Sequence, residues 1–555
     1  MKKNKHSGKQ VFSILDFASA MITLAVLLPS ICSAQFPPMK KWDYRYGGTG
    51  NETMHSFQKT NSGGFIMGGF TNSPVSGNRS QPLWGGVDFW VVNTYDNGLL
   101  KWEKRYGGTG DDVLYDIAAT DDGGFVFCGW SSSDTTGDKQ SQLVGLIDYW
   151  VLRVDSSGNY LWDISVGGID GEMARAIRQT PDGGFLIAGW CDSDSTGDVS
   201  EHSRGLSDYW VIKVDGQGNK LWDKRYGGTD LDILYTMELT SDGGFIFGGT
   251  SMSGIGADKS QPSQGISDYW VVKTDSLGVL QWEHSYGGLL EEELFSIRQT
   301  TDGGYALAGY SFSGVSGDRT QPNWGACDIW LVRTDSLGNK LWDKRYGGST
   351  FDEINRIDIT DDNGFLISGD SYSPADGDKT ESNVGEEQTW IVKTDSLGNL
   401  EWDKTLFTIG HDELGTCFQL SNGCYVSANF TNAGIGSYKS QPNWNNLDAT
   451  TDLWIISFCD STTGVSPLLK DLSFALYPNP ANSTLTIETG GVTDKEGMIQ
   501  LFNATGELVM QIALPQMSNK INVDLTEFKA GIYLMQLHTS GKVLSEKLLI
   551  THQQN

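Results

Sequence analysis

The stretch Leu221–Asp275 decides the fold. It opens Leu-Trp-Asp-Lys-Arg-Tyr-Gly-Gly at 221–228, passes Ser-Asp-Gly-Gly-Phe at 241–245, and closes Ser-Asp-Tyr-Trp-Val-Val-Lys-Thr-Asp at 267–275. The unit recurs seven times. Its first tryptophan falls at Trp42, Trp102, Trp162, Trp222, Trp282, Trp342 and Trp402. Its second falls at Trp90, Trp150, Trp210, Trp270, Trp330 and Trp390, with Trp454 four residues late. A fixed period of this length marks a repeat architecture and is read before anything else.

Each unit carries four short strand signals separated by turn signals, in the fourth unit Leu221–Tyr226, Ile233–Leu239, Phe245–Ser251 and Tyr269–Thr274. Four strands repeated seven times predict an all-β chain whose residues 41–460 form a seven-bladed β-propeller. Asp242-Gly243-Gly244 and its equivalents predict tight hairpins. The second hairpin, such as Asp335-Ser336-Leu337-Gly338-Asn339, resembles the Asp-x-x-x-Gly-x-x-x-Trp turns of quinoprotein-like and Asp-box propellers, where it joins the third and outermost strands. That resemblance implies a structural role for these turns. It also implies a register in which Trp-Asp-Lys-Arg-Tyr is the outermost strand of one blade and the next strand is the innermost of the following blade. The N-terminal strand Trp42–Tyr46 would then complete the last blade. The alternative is seven blades that each hold all four strands of their own unit.

The formal charge is −29. So acidic a chain repels phosphate backbones, which argues against nucleic-acid partners. The N-terminus has the form of a secretory signal: Lys2, Lys3, Lys5 and Lys9, the apolar run Met21–Leu28, then small residues with cleavage expected after Ala34. Residues 1–34 carry four Lys and one Asp, so their removal takes the formal charge to −32. The apolar run is short for a membrane span, and no other stretch suggests one. Six cysteines lie beyond it, none at the repeat period. Cys417 and Cys424 flank one hairpin and could bridge, or could be small core residues, Cys417 standing where the sixth unit has Ile357.

One column is acidic in all seven units: Glu52, Asp112, Glu172, Asp232, Glu292, Asp352 and Asp412. It precedes the innermost strand and should ring the channel mouth, either binding cations or capping turn N–H groups. A second column, Asp138, Asp198, Asp258, Asp318 and Asp378, lies in the long loops. Around Asp192, Asp194 and Asp198 the spacing faintly resembles a calcium loop, but its twelfth position is Ser203 rather than an acid. Calcium is therefore a weak expectation, and no other cofactor is expected. No nucleophile elbow, zinc motif or P-loop occurs. His55, His202, His284 and His411 fall in different strands and loops and read as incidental. A unique site should lie where one unit departs from the rest on the loop face: Glu201, His202 and Arg204, Glu291 and Glu293, or Glu386 and Glu387. Trp84, Trp324 and Trp444 are the tryptophans best placed to stack on sugars.

After a polar linker at 461–471, residues 472–555 alternate as strands of a small β-sandwich. The opening Tyr477-Pro478-Asn479-Pro480, the hairpin around Gly506, Gly531-Ile532-Tyr533, and the closing segment from Lys542 through Lys547 resemble the type A C-terminal sorting domain of the type IX secretion system. The resemblance implies passage through the periplasm and across the outer membrane by that machinery, removal of the domain by its sortase-like peptidase, and release or display at the cell surface. The expected function is a non-catalytic adhesion or binding module for an unidentified glycan or protein. The alternative is an extracellular polysaccharide hydrolase or lyase acting from the loop face.

Overall fold

The computed structural model describes residues 39–445, 450–459, 473–477, 481–490, 498–503, 508–513, 520–539 and 542–551. The expected signal segment and its cleavage point after Ala34 lie outside the described residues, as does the linker. No helix among the described residues is long and apolar enough to cross a membrane.

The repeat forms seven four-stranded antiparallel sheets. The fourth sheet is typical, running Asp232–Leu239, Phe245–Ser251, Asp268–Thr274 and Leu280–Tyr286 from first to fourth strand. Its fourth strand comes from the next sequence unit, so sheets and units are out of phase by one strand. In the seventh sheet, Asp412–Gln419, Cys424–Thr431 and Asp452–Cys459 are completed by the N-terminal strand Met39–Tyr46, which pairs with Asp452–Cys459.

The local chemistry explains the regularity. Gly243 takes φ of 83° at the first hairpin, a conformation an L side chain resists. At the second hairpin, Asp335 Oδ1 accepts from Leu337 N and Asn339 N, both at 2.9 Å, while Asn339 Nδ2 donates to Oδ2. The third-strand tryptophans are fully buried, and each satisfies its indole N–H on a fourth-strand acid. Trp270 donates to Glu283 at 2.8 Å and Trp330 to Asp343 at 3.1 Å. At the seam, Trp454 donates to Asp43 at 3.1 Å. Successive sheets pack through large aromatics, as where Tyr209 meets Trp270 with ring centres 4.7 Å apart.

The first strand of each sheet packs on the first three strands of the sheet before it, and Glu52–Lys59 stands in the same relation to the seventh sheet. Phe57, Met67 and Trp90 share one core cluster with Phe418, Val426 and Leu453. The arrangement is propeller-like.

The cysteine pairing differs from the one considered from sequence. Cys424 bonds to Cys459, its partner across the seventh sheet, and Cys417 is a buried thiol. Antiparallel register sets Cys424 opposite Cys459, whereas Cys417 points into the core beside Ile456 and Trp454.

The C-terminal region forms two sheets, Ser473–Tyr477, Thr484–Gly490 and Lys520–Asp524 in one, and Leu508–Ala513, Met498–Phe502, Gly531–Thr539 and Lys542–Ile550 in the other. They enclose one core containing Leu485, Ile487, Leu501, Met535 and Leu548.

Candidate functional site in the central channel

In the first strand of every sheet the register slips at one point. In the third sheet Ala174 faces Gly189 and Ala176 faces Ala188, so Arg175 has no partner and is bulged out. A bulge re-aims a side chain, and here it aims each one at a common space. The bulged residues are His55, Tyr115, Arg175, Tyr235, Phe295 and Asn355, and in the seventh sheet Leu414 with Gly415. All of these but Gly415, together with neighbours from all seven first strands, line a cavity of roughly 210 Å³.

The wall is uneven. From the first sheet to the fifth it is aromatic and basic. Arg175 lies 3.9 Å from the ring centre of Tyr115 and 5.5 Å from that of Tyr235. His55 packs at a tilt against Tyr115, ring centres 4.6 Å apart, and Tyr235 stacks on Phe295 at 4.8 Å. Burial, then the charge of Arg175, push His55 down to about 3, so it is neutral at physiological pH.

Two residues nearer the loop face, outside the cavity lining, the fifth to seventh sheets are acidic. Glu293, Glu353 and Glu413 occupy one repeated position in consecutive sheets, and Asp370 stands opposite Glu353. Burial raises the Glu293 carboxyl, even though the Tyr310 and Tyr235 hydroxyls donate to it. The channel wall strips water from Glu353, and then Glu293 and Glu413 add like charge, so its carboxyl is raised as well. Asp370 is raised by burial, although it accepts Leu414 N at 2.7 Å and Gly415 N at 3.0 Å. Those two bonds hold Leu414 at φ of 55°, an unfavourable conformation for a branched side chain. Glu387 is raised by burial and then by the charge of Asp370. His411 Nε2 lies 2.6 Å from Glu413 and 3.2 Å from Glu387. These three residues can each offer a ligand atom within 4.8 Å of the others. Imidazole with two carboxylates suits a transition metal better than calcium, but the side-chain contacts of His411 with the two acids account for the grouping.

Deeper in the channel the charges are paired. Arg178 meets Asp116 at 2.6 Å, Arg298 meets Glu238 at 3.1 Å and Asp358 at 3.0 Å, and Arg356 meets Asp358 at 2.8 Å.

The acids singled out from sequence sit elsewhere. Glu52, Asp112, Glu172, Asp232, Glu292, Asp352 and Asp412 are all wholly buried. Six of them accept a turn glycine N–H four residues back, as Asp232 does from Gly228 at 2.6 Å; Asp412 is held by Thr408 instead. Asp192 accepts from Ser207, Asp194 accepts Ser203 N at 3.0 Å, and Asp198 accepts Gly167 N at 3.4 Å. These three are not among the metal-capable groups of the described residues. Glu201 pairs with Arg204 and Lys224, and His202 with Asp194, apart from the channel lining. Trp84, Trp324 and Trp444 are about half exposed, each with an arginine over one face: Arg105, Arg345 and Arg45 respectively.

Of the histidines, His411 bridges Glu387 and Glu413, and His55 lines the channel. Sequence reasoning missed Arg175 and Asp370 altogether. The available signal was columnar: Arg175 stands where other units have His, Tyr, Phe or Asn, and Asp370 where five of the other six have an aromatic residue.

In the C-terminal sheets, Tyr477 ends the first strand, Gly531 begins the sixth and Lys542 the last. Tyr533 is buried and donates to Lys529 O at 2.9 Å, and Lys547 is exposed. Pro478, Asn479, Pro480 and Gly506 lie outside the described residues.

Comparison with known proteins adds one assignment. The chain is 26% identical over 361 residues to the regulatory protein FlaEY of Caulobacter vibrioides, covering 59% of this chain and 37% of that protein. The chain thus spans little more than a third of that relative's length. Among solved structures, the Pan2 WD40 domain of Neurospora crassa covers 58% of this chain and 92% of its own at 10% identity and a TM-score of 0.32. A Synechocystis apocarotenoid oxygenase mutant covers 76% and 97% at 10% identity and a TM-score of 0.34. Likenesses this slight assign no function. Residues 475–551, however, match the family described as the secretion system C-terminal sorting domain, so the chain ends in a type IX sorting domain and is a cargo exported to the cell surface or beyond.

Proposed function

We propose that the repeat region is a seven-bladed β-propeller that serves, once exported, as a binding module for a glycan or protein and performs no chemistry of its own. The ligand enters the loop-face mouth of the central channel. The observation that carries this reading is where the repeat breaks. The frame repeats the same buried acids and tryptophans sheet after sheet, while the bulged positions carry seven different residue types. A scaffold under packing constraints has reason to repeat, and loops and channel walls held by it are where recognition concentrates. The reading needs no cofactor, and its established partner is the type IX machinery that reads the C-terminal domain.

A second reading, polysaccharide hydrolysis, draws on the acidic wall. Glu387 is held toward its protonated form beside Glu413, and a raised acid next to a second carboxylate is what general acid–base work on a glycosidic bond requires. One experiment separates the two. The purified full chain is screened against a polysaccharide and glycan panel, with calcium and with chelator, and the supernatant is assayed for new reducing ends and unsaturated products. Retention without product supports the binding module. Product that disappears in Glu387→Gln supports the enzyme. Chelator-sensitive retention would revive a metal at the mouth.

A further inference from the structure

Arg175 differs from the other arginines of the channel. Arg178, Arg298 and Arg356 are each neutralised by a carboxylate at 3.1 Å or less. The Arg175 Nε is buried without a hydrogen-bond partner, and no ion pair reaches its guanidinium among the described residues. Tyr115 and Tyr235 flank it, at 3.9 Å and 5.5 Å from their ring centres, and cation–π contacts of this kind leave its N–H groups to bond. A guanidinium fixed in this way presents a planar fork that matches a carboxylate.

Two more donors stand beside it. The indole N–H groups of Trp130 and Trp190 are buried without partners. Trp130 pairs with Val113 and Trp190 with Met173, each two residues nearer the loop face than Tyr115 and Arg175. Cross-strand partners share a face of the sheet, so the two indoles lie on the faces that carry Tyr115 and Arg175, outside the lining of the cavity itself. An indole N–H can only donate. The wall therefore offers flat rings and unspent donors, and its neighbouring mouth carboxylate, Glu293, is already met by the Tyr235 and Tyr310 hydroxyls. A sugar ring stacks on aromatic faces and accepts through its oxygens, and its carboxylate would face the arginine. An acidic peptide side chain would satisfy the arginine alone and leave the indoles unpaired. The cavity of roughly 210 Å³ admits one small residue rather than a folded segment.

We propose that Arg175 binds the carboxylate of a uronic-acid residue at the channel mouth, with Tyr115, Tyr235, Trp130 and Trp190 holding the sugar ring. The proposal rests on the binding-module reading and names its ligand class.

The test is calorimetric titration of the full chain with oligogalacturonate, oligomannuronate and oligoglucuronate, their carboxyl-reduced neutral counterparts, neutral gluco- and galacto-oligosaccharides, and oligoglutamate. At least one oligouronate is expected to bind, with its reduced counterpart and the Arg175→Ala variant each weaker by about tenfold or more, in line with the loss of one charge-assisted bidentate contact. Arg175→Lys should restore only part of the loss, because lysine keeps the charge and lacks the fork. The melting temperatures of both variants should match the parent, which separates lost binding from lost folding. Equal binding of charged and reduced sugars, or oligouronate binding that survives Arg175→Ala, overturns the proposal. Arg175-dependent binding of oligoglutamate reassigns the site to acidic peptides. Failure of every oligouronate while neutral oligosaccharides bind overturns the uronate and leaves the binding module standing.

Discussion

Asp352 and Glu353 are neighbours in sequence and opposites in the molecule. Asp352 is wholly buried and accepts Gly348 N at 2.7 Å, Ser371 Oγ at 2.5 Å and Ser373 Oγ at 2.8 Å. Glu353, on the other face of the strand, opens into the channel among like charges. Both carboxyls are raised by burial, but Asp352 is met by donors and Glu353 by Glu293 and Glu413. The first belongs to a set of seven that tie turns to strands. The second belongs to a set of three confined to one wall. Repetition thus marks what holds the sheets together, and departure from repetition marks where the channel wall varies.

The contrast can be broken from the frame side first. Trp270→Ala removes a buried ring packed on Tyr209 and leaves Glu283 without its indole donor. The expected cost is about 3 to 5 kcal/mol, read as a drop in the denaturation midpoint. Opening the Cys424–Cys459 bond, which closes a sequence separation of 35 residues, with a double serine variant should cost about 3 to 4 kcal/mol by loop entropy, measured the same way. Asp352→Ala strands the Gly348 N–H and two serine hydroxyls, at about 1 to 3 kcal/mol. Stability changes well below these ranges would mean that the repeated set is not the frame.

Changes on the channel side should be smaller and of opposite sign. Folding raises the carboxyls of Glu353, Asp370 and Glu387 above the ordinary carboxylate range near pH 4. The folded state therefore holds these protons more tightly than the unfolded state. Their contribution to stability is complete below about pH 4 and is lost as pH rises through the elevated values. Glu387→Gln cannot ionise and escapes this loss. Its melting temperature should fall less than the parent's between pH 5 and pH 9, and at pH 9 it should be the higher of the two. Parallel curves across that range would show that the acidic wall is not strained by its own charge.

Much of the frame was legible because seven copies repeat one message. The Asp-Gly-Gly turns, the Asp-Ser-Leu-Gly-Asn turns and the two tryptophan columns set the strands, while the one-strand offset between unit and sheet was only implied by the resemblance to Asp-box propellers, with whole-unit blades as the alternative. The channel was not legible to the same degree, for a geometric reason. A residue bulged out of register, such as Arg175, looks in sequence like one more position of an alternating strand. Glu387 stood out as a departure from its column, but its partners Asp370 and His411 come from a neighbouring strand and from the turn of the next sheet. Only the packing of consecutive sheets brings them together. The buried acids were visible as a column, yet sequence could not tell a capping ring from a cation-binding one. Their hydrogen bonds to Gly228 N and its equivalents supply what was missing.

The most direct test of the central claim, that ligand is taken at the channel, is to plug the channel. Asn355 lines the cavity, and its side chain donates to Asp370 at 2.8 Å. Asn355→Trp would fill that space from a bulged position that already holds Tyr or Phe in other sheets. Glycan retention by the full-length Asn355→Trp variant should be measured beside the parent, with thermal melting as the control for folding. The account predicts loss of retention with the melting transition preserved. Retention equal to the parent's in a folded Asn355→Trp variant would contradict it and place recognition on the exposed outer loops, beginning with Trp84, Trp324 and Trp444.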